Sequence, residues 1–427
     1  MFVKIKKINK EIDLRYRVRA ALRGCGRSAL SVGPGSVNSM KILHTSDWHI
    51  GRTFHTHSTL EYLGVVLDAL VLVVRERGVD VVVVAGDVFD SAMPSKESYA
   101  LLTSVLRRIK AAGASVVMTS GNHDSATRLG FQSEWAALAG IHIVTRPEQY
   151  LEPITITDEH GPVHFYGIPY LEPVLIRHRH PGMLLKTHEQ VLNFAMTGIR
   201  DDVLARGGRS LVLSHCFAAG VAPATESSDV ERDITAGGLD VVPLSVFDGC
   251  DYVALGHIHG RATLTERVRY SGPPLHYSFS EVGKPRGAWL VELDAAGLGA
   301  VEWVDLPVPR RLAVITGELA DLLADAGFAD NENDWVKAIL TDQVRPLEAM
   351  RALQPRFAHA VALEHRPAIR VDPGDSSYAE RIGAATSDPE IVAGFLSFVR
   401  NGVGPTDFEN ALVAELLTEQ SARAANS

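Results

Sequence analysis

Apolar and polar positions follow two periods along this chain. Val81-Val82-Val83-Val84-Ala85 is an unbroken apolar run of strand length that ends at Gly86-Asp87, the mark of a strand covered on both faces with a carboxylate at its carboxyl end. Residues 41–45 read as a strand and 59–75 as a helix before it; 95–112, with Pro94 just ahead, read as a helix and 115–119 as a strand after it. This alternation predicts a parallel sheet with helices on both faces, an α/β domain. Residues 140–208 are less regular but include a strand-like 163–168 and a long helix over 188–205. Segments 210–213, 251–255, 268–270 and 288–292 are strand-like with few helices between them, which predicts a second sheet stacked on the first.

The pattern changes after about Pro307. Strands over 311–316, 335–341 and 357–364 alternate with helices over 318–326 and 346–353, the pattern of a small α+β domain at 308–365. Residues 366–387, rich in Pro, Asp, Gly and Ser, read as a linker. The tail, 388–427, holds two amphipathic helices, 389–400 and 406–425, joined at Gly402-Val403-Gly404-Pro405. No internal repeat is visible.

Charge adds one asymmetry. Of 42 Lys and Arg, nine lie within residues 1–39 against two acids, so a net charge of −9 conceals a more acidic body. Such a body does not coat DNA by itself; nucleic-acid contact has to come from local basic patches, bound cations or a partner subunit. The basic stretch before Met40 is expected to be a disordered upstream extension, with Met40 the natural start. A DNA-binding arm and an organelle-targeting peptide are the other readings. Three cysteines, Cys25, Cys216 and Cys250, have no metal-type spacing and fit a reducing compartment. No apolar run has the length of a membrane span, so a cytoplasmic location is expected.

Fifteen of the 17 histidines fall between His44 and His276, and several stand just beyond predicted strands. Asp47-Trp48-His49 follows the first strand, Gly86-Asp87 the second and Gly121-Asn122-His123-Asp124 the third. Ser214-His215 and Gly256-His257-Ile258-His259 follow two later ones. Any one of these reads as a capping or turn residue. Five together, at strand ends that an open sheet brings to one side, point to a metal site. A nitrogen and oxygen ligand set without thiolates favours Mn²⁺, Fe²⁺ or Zn²⁺ in a catalytic role.

This ordered series closely resembles the calcineurin-like metallophosphoesterase superfamily over Met40 to about Phe279. Thr45-Ser46-Asp47-Trp48-His49-Ile50-Gly51-Arg52, Ala85-Gly86-Asp87-Val88-Phe89-Asp90 and Ser271-Gly272-Pro273-Pro274 are similar, within it, to the SbcD-type nuclease subunits of bacterial complexes. The resemblance implies a four-layer α/β/β/α catalytic domain over 40–307, with the α+β domain as a cap. Two divalent metal ions, most often Mn²⁺, would be held by Asp47, His49 and His259 and by Asn122, His215 and His257, with Asp87 bridging them. His123 would stand beside the phosphate as the catalytic group. Two cations about 3.5–4 Å apart clamp a phosphodiester and stabilise both the attacking and the leaving oxygen.

The implied activity is double-strand 3′ to 5′ exonuclease and single-strand or hairpin endonuclease action in DNA repair, recombination and replication. The implied partners are DNA, an SbcC-type ATPase docked on the tail helices, and a second copy of the chain within a heterotetramer. The sequence has no Gly-x-x-x-x-Gly-Lys-Ser/Thr loop of its own. Asp90 and Asp124 are expected to orient ligands or cap helices, and Arg52 and Arg128 to touch phosphate or lie on the surface. Arg177 and Arg179 are candidate DNA contacts within Arg177-His178-Arg179-His180, and Arg107-Arg108-x-Lys110 is a second basic cluster. Cys216 reads as a small core residue. The rival readings are a metallophosphoesterase acting on nucleotides or cyclic nucleotides, and a non-catalytic DNA-end scaffold.

Overall fold

The computed structural model describes residues 39–220, 241–367 and 387–425. The basic segment before Ser39 and nearly all of the expected linker lie outside them. Two compact units divide between Pro309 and Arg310.

The first unit contains, in chain order, β1 (Met40–Thr45), β2 (Val81–Ala85), β3 (Ser115–Thr119), β4 (Ile141–Val144), β5 (Ile154–Asp158) and β6 (Gly161–Ile168). It continues with β7 (Arg209–His215), β8 (Tyr252–Gly256), β9 (Ala262–Thr263), β10 (Val268–Tyr270), β11 (Gly287–Asp294) and β12 (Gly297–Asp305). They form two six-stranded sheets, ordered β12-β11-β1-β2-β3-β4 and β9-β10-β8-β7-β6-β5. The centre of each sheet is parallel: β1 to β4 in the first, β6, β7, β8 and β10 in the second. Antiparallel strands close one edge of the first sheet and both edges of the second.

Each strand's alternation divides its side chains between cores. Val82 and Val84 pack with Leu63, Leu67, Val105 and Ile109 of the helices α1 (Leu60–Arg77) and α2 (Lys96–Ala111). Val81 and Val83 face the other way, into a core with Phe165, Leu211, Leu213 and Tyr252 of the second sheet. The far side of that sheet packs Tyr166, Val212 and Val253 against Val191, Ala195 and Met196 of α3 (His188–Arg206). The layers therefore run helix, sheet, sheet, helix, and the apolar run at β2 reflects two buried faces. Local signals set the helix ends. Gly78 takes a left-handed φ of 60° after α1, and Ser95 and Thr187 accept from the amides of Ser98 and Gln190 at the starts of α2 and α3.

Four strands of these sheets went unread in the sequence: β4, β5, β9 and β12. Each is half-exposed and interrupted by polar residues, so none carries the apolar run of a covered strand.

The second unit is a parallel three-stranded sheet, β13 (Leu312–Gly317), β14 (Trp335–Leu340) and β15 (Ala360–His365). The helices α4 (Leu319–Ala324) and α5 (Ala349–Leu353) pack on it through Leu322 and Leu353. The tail helices α6 (Asp388–Val399) and α7 (Asp407–Ala425) belong to the same unit. Gln343 Nε2 donates to Asn401 O at 3.0 Å, and both Arg400 Nη atoms reach the Glu409 carboxylate at 2.8 and 2.7 Å. Phe395, Phe398, Leu412 and Leu416 remain 44–56% exposed. No helix among the described residues is long and apolar enough to cross a membrane.

Candidate metal centre

Five strand ends meet. β1, β2 and β3 are neighbours in the first sheet, β7 and β8 in the second, and all five open on the same side. Asp47 and His49 follow β1, Asp87 follows β2, Asn122 and His123 follow β3, His215 ends β7, and His257 and His259 follow β8. Asp47, His49, Asp87, His215, His257 and His259 are all at most 4% exposed.

The turn into the site is tight after β1, β2 and β8. Asp47, His49, Asp87 and His257 have φ of 52°, 43°, 48° and 103°, left-handed conformations that cost a non-glycine residue energy and collect at functional sites. The loops also need to touch. A Cβ on Gly121 would lie 2.1 Å from Asp87 Oδ1, and one on Gly256 1.8 Å from Ala85 O, so these two glycines let the strand ends converge.

The histidine nitrogens are aimed by their outer partners. His215 Nδ1 lies 3.0 Å from Ala85 O, and a carbonyl can only accept, so Nδ1 carries the hydrogen and Nε2 presents its lone pair inward. That Nε2 meets Asn122 Oδ1 at 2.9 Å and Asp87 Oδ2 at 3.3 Å. In the same way His259 Nδ1 donates to Glu281 Oε1 at 3.1 Å, and His49 Nδ1 lies 3.3 Å from Asp90 Oδ1. Their Nε2 atoms face each other at 3.0 Å. Asp87 Oδ1 accepts from the His123 amide at 3.0 Å. Asp87 Oδ2 is buried without a hydrogen bond, 3.3 Å from His215 Nε2 and 3.6 Å from His49 Nε2.

Imidazole nitrogens and carboxylate oxygens converging on so small a volume fit cations. Ligand atoms of Asp47, His49 and His259 lie within 4.8 Å of one another, as do those of Asp47, Asp87 and His215. Asp47 thus belongs to both groups, and Asp87 Oδ2 sits between a histidine of each. Asn122 joins the second group through His215, and the His257 ring lies 5.1 Å from the His215 ring. His257 also donates its amide to Asp47 Oδ1 at 2.9 Å. The donor set, nitrogen and oxygen without sulfur, fits two divalent ions.

Electrostatics describe the same site from the proton's side. Burial pushes Asp47 up to about 6, against His215 and His259. Burial would also raise Asp87, but the neighbouring His215 and then His49 hold it well below the usual carboxylate range. His215 goes up to about 9: burial disfavours its charge, and Asp87, Asp47 and the Ala85 carbonyl together outweigh burial. Without a cation, the cluster keeps a proton where a cation would sit.

The remaining expected residues take varied places. His123 is half-buried, its ring 4.9 Å from that of His49, with Nδ1 held 3.0 Å from Asp90 O. Asp124 accepts from the amides of Val88, Phe89 and Gly121 at 2.8–3.0 Å, stitching the loops after β2 and β3 together. Burial and then the Asp87 charge push it up to about 7, against those three amides. Arg52 is 6% exposed, stacked 5.1 Å over Tyr277 and 3.4 Å from Asp90 Oδ1. Arg128 is exposed and donates to Ala92 O. Arg177 and Arg179 are exposed on the helix Pro173–Arg179, and Arg179 pairs with Glu148. Cys216 is buried in the α3-side core.

Sequence reasoning missed Glu281, Arg286, Tyr277, Ser46 and Ser271. Ser46 Oγ donates to Asp47 Oδ2 and lies 2.8 Å from Ser271 Oγ; Tyr277 O–H donates to Trp48 O at 2.7 Å. Glu281 ends the short turn Phe279–Glu281, where no strand or helix period marks a position as buried.

Residues 40–261 match the family model described as calcineurin-like phosphoesterase. Among solved structures, the chain is similar to a dimetal phosphatase from Danio rerio, at 17% identity over 63% of this chain and 99% of that one, with a TM-score of 0.37. It is also similar to a purple acid phosphatase from yellow lupin, Lupinus luteus, at 11% identity over 64% of this chain and 52% of that one, TM-score 0.37. A third similarity is to a protein from Thermus thermophilus, at 15% identity over 63% and 99%, TM-score 0.36.

Proposed function

The chain belongs to the calcineurin-like phosphoesterase family, and from that premise we propose that it is a metal-dependent DNA nuclease subunit that works with an SbcC-type ATPase. The observation that carries the reading is the inward convergence of His49, His215 and His259 Nε2 on Asp47 and Asp87, with His215 and His259 hydrogen-bonded from outside by a carbonyl and a carboxylate and His49 3.3 Å from the Asp90 carboxylate. Asp47, His49 and His259 would hold one cation, and Asn122, His215 and His257 the other, with Asp87 between. Bound there, two divalent cations, Mn²⁺ foremost, supply positive charge that polarises the phosphoryl group and offsets charge developing on its oxygens.

The chain's own residues supply the rest. Asp90 O accepts from His123 Nδ1, so Nε2 is the atom free to carry a proton toward the leaving oxygen. Hydrolysis adds water across one P–O bond of a phosphodiester and leaves a phosphomonoester and a hydroxyl. Asp124, bonded to three amides, keeps the loops of Asp87 and His123 at one spacing. Arg52 braces Asp90, which braces His49.

Support for DNA and a partner comes from outside the centre. The second unit ends in two helices with exposed Phe395, Phe398, Leu412 and Leu416, a face suited to a coiled-coil docking segment and superfluous in a hydrolase of small substrates. Exposed Arg177 and Arg179 are candidate backbone contacts. The test measures cutting of labelled duplex and hairpin DNA with Mn²⁺ or Mg²⁺ by wild type, Asp87→Ala and His123→Ala, with and without the ATPase. Mn²⁺-dependent cutting by wild type, lost in both variants, is the expected result. Hydrolysis of bis(4-nitrophenyl) phosphate with no action on DNA under any condition would instead assign the site to small phosphodiesters.

A further inference from the structure

The two groups of candidate ligands differ in what stands behind them. His215 is backed by a neutral carbonyl, Ala85 O. His259 is backed by a buried carboxylate, Glu281. Glu281 is 1% exposed, and its Oε1 accepts from His259 Nδ1 at 3.1 Å. Its Oε2 accepts from Arg286 Nη2 at 2.6 Å and from the Tyr277 amide at 2.9 Å. Arg286, 2% exposed, donates its other arm to His259 O at 3.1 Å, so backbone and ring of His259 are gripped by one pair.

A buried ion pair contributes little to stability by itself, since desolvation consumes most of the attraction. This pair is better explained by direction. Both oxygens of Glu281 are committed, so the carboxylate cannot turn, and the imidazole it holds can turn only by giving up its hydrogen bond to Glu281. His259 Nε2 then points at His49 Nε2, 3.0 Å away, where one cation of the proposed centre would lie. A carboxylate behind an imidazole also makes the opposite nitrogen a stronger donor.

We propose that Glu281, clamped by Arg286, is a positioning residue for His259, and that it strengthens the cation position of Asp47, His49 and His259 without acting on the position of His215. The inference rests on the two-cation reading above. The test is calorimetric titration of metal-free full-length protein with Mn²⁺, beside its thermal midpoint, for wild type, Glu281→Gln and the double variant Glu281→Gln/Arg286→Met. Wild type is expected to bind two ions, and Glu281→Gln to weaken one of them by about 10–100-fold while the other is unchanged. Glu281→Gln leaves Arg286 buried without a counter-charge and is expected to lower the midpoint. The double variant removes that charge: its midpoint is expected to recover while the weakened ion stays weak. Recovery of both midpoint and affinity would show that the pair is structural only and overturn the proposal, as would an unchanged affinity in Glu281→Gln or an equal loss at both positions. A wild type that binds no Mn²⁺ overturns the two-cation reading itself, and the proposal with it.

Discussion

At the scale of single residues, the space between the two sheets contains a histidine with no part in the metal centre. His44 on β1 is fully buried, with Nδ1 3.0 Å from Tyr252 O–H and Nε2 3.2 Å from Leu255 O, both on β8 of the other sheet. Leu255 O can only accept, so Nε2 carries the hydrogen and Tyr252 donates to Nδ1. The neutral ring satisfies both partners and links the sheets. Burial pushes its pKa down to about 3 from an ordinary 6.5, opposed only in part by Leu255 O. The folded protein therefore refuses a proton that the unfolded chain accepts. The stability His44 confers is complete above pH 6.5 and is lost as pH falls from there toward 3. In chemical denaturation, His44→Gln is expected to cost about 1 kcal/mol at pH 7.5 through poorer hydrogen bonds. That gap should close as pH falls from 6.5 toward 5, because wild type alone loses up to about 1.4 kcal/mol per pH unit from this group. A gap that stays constant across that range would sink the assignment.

At the scale of elements, β2 shows why some of this protein can be read without coordinates. All of Val81 to Val84 are 0% exposed, with odd and even positions serving different cores. An alternating strand would tolerate polar substitution on one face; this one has no such face. Val82→Thr and Val83→Thr keep the shape and bury a hydroxyl, and each is expected to cost about 1–3 kcal/mol in denaturant unfolding. If either proved neutral, one side of β2 would have to be wet. The candidate donors were legible for a related reason: covered strands are conspicuous, and their ends carried Asp47, His49, Asp87, Asn122, His215, His257 and His259. Of what stands behind those donors, Asp90, expected to orient a ligand, lies 3.3 Å from His49 Nδ1, but the rest was not legible. Glu281 and Arg286 come from a segment with no period, and Ala85 O is a backbone atom that no side chain announces. β12 was hidden because an edge strand needs only one covered face, and its Glu302 and Asp305 interrupt the apolar pattern.

At the scale of the whole molecule, the proposed function requires that chemistry and attachment be separable. Every candidate donor, and every residue found to orient one, lies between Ser46 and Arg286 in the first unit, which has three hydrophobic cores of its own. The second unit has a fourth core and carries the exposed helix faces. Both tail helices group with it: Gln343 Nε2, from the loop after β14, bonds to Asn401 O, and Arg400 joins α6 to α7 through Glu409. If catalysis depends on the first unit alone, a chain ending at Pro309 should unfold in one cooperative transition. It should also gain thermal stability from Mn²⁺ by about 2.7 kcal/mol per ion at a hundred times that ion's dissociation constant, as a ligand bound only to the folded state must. Its kcat/KM on bis(4-nitrophenyl) phosphate should stay within a factor of roughly 5 of the full chain, under about 1 kcal/mol of transition-state stabilisation. Capture by the ATPase, and processing of duplex ends with it, should be lost together. A truncated chain that folds and binds Mn²⁺ but no longer hydrolyses the small diester would make the second unit part of the catalytic machinery. One that keeps the ATPase would move the docking face to the first unit.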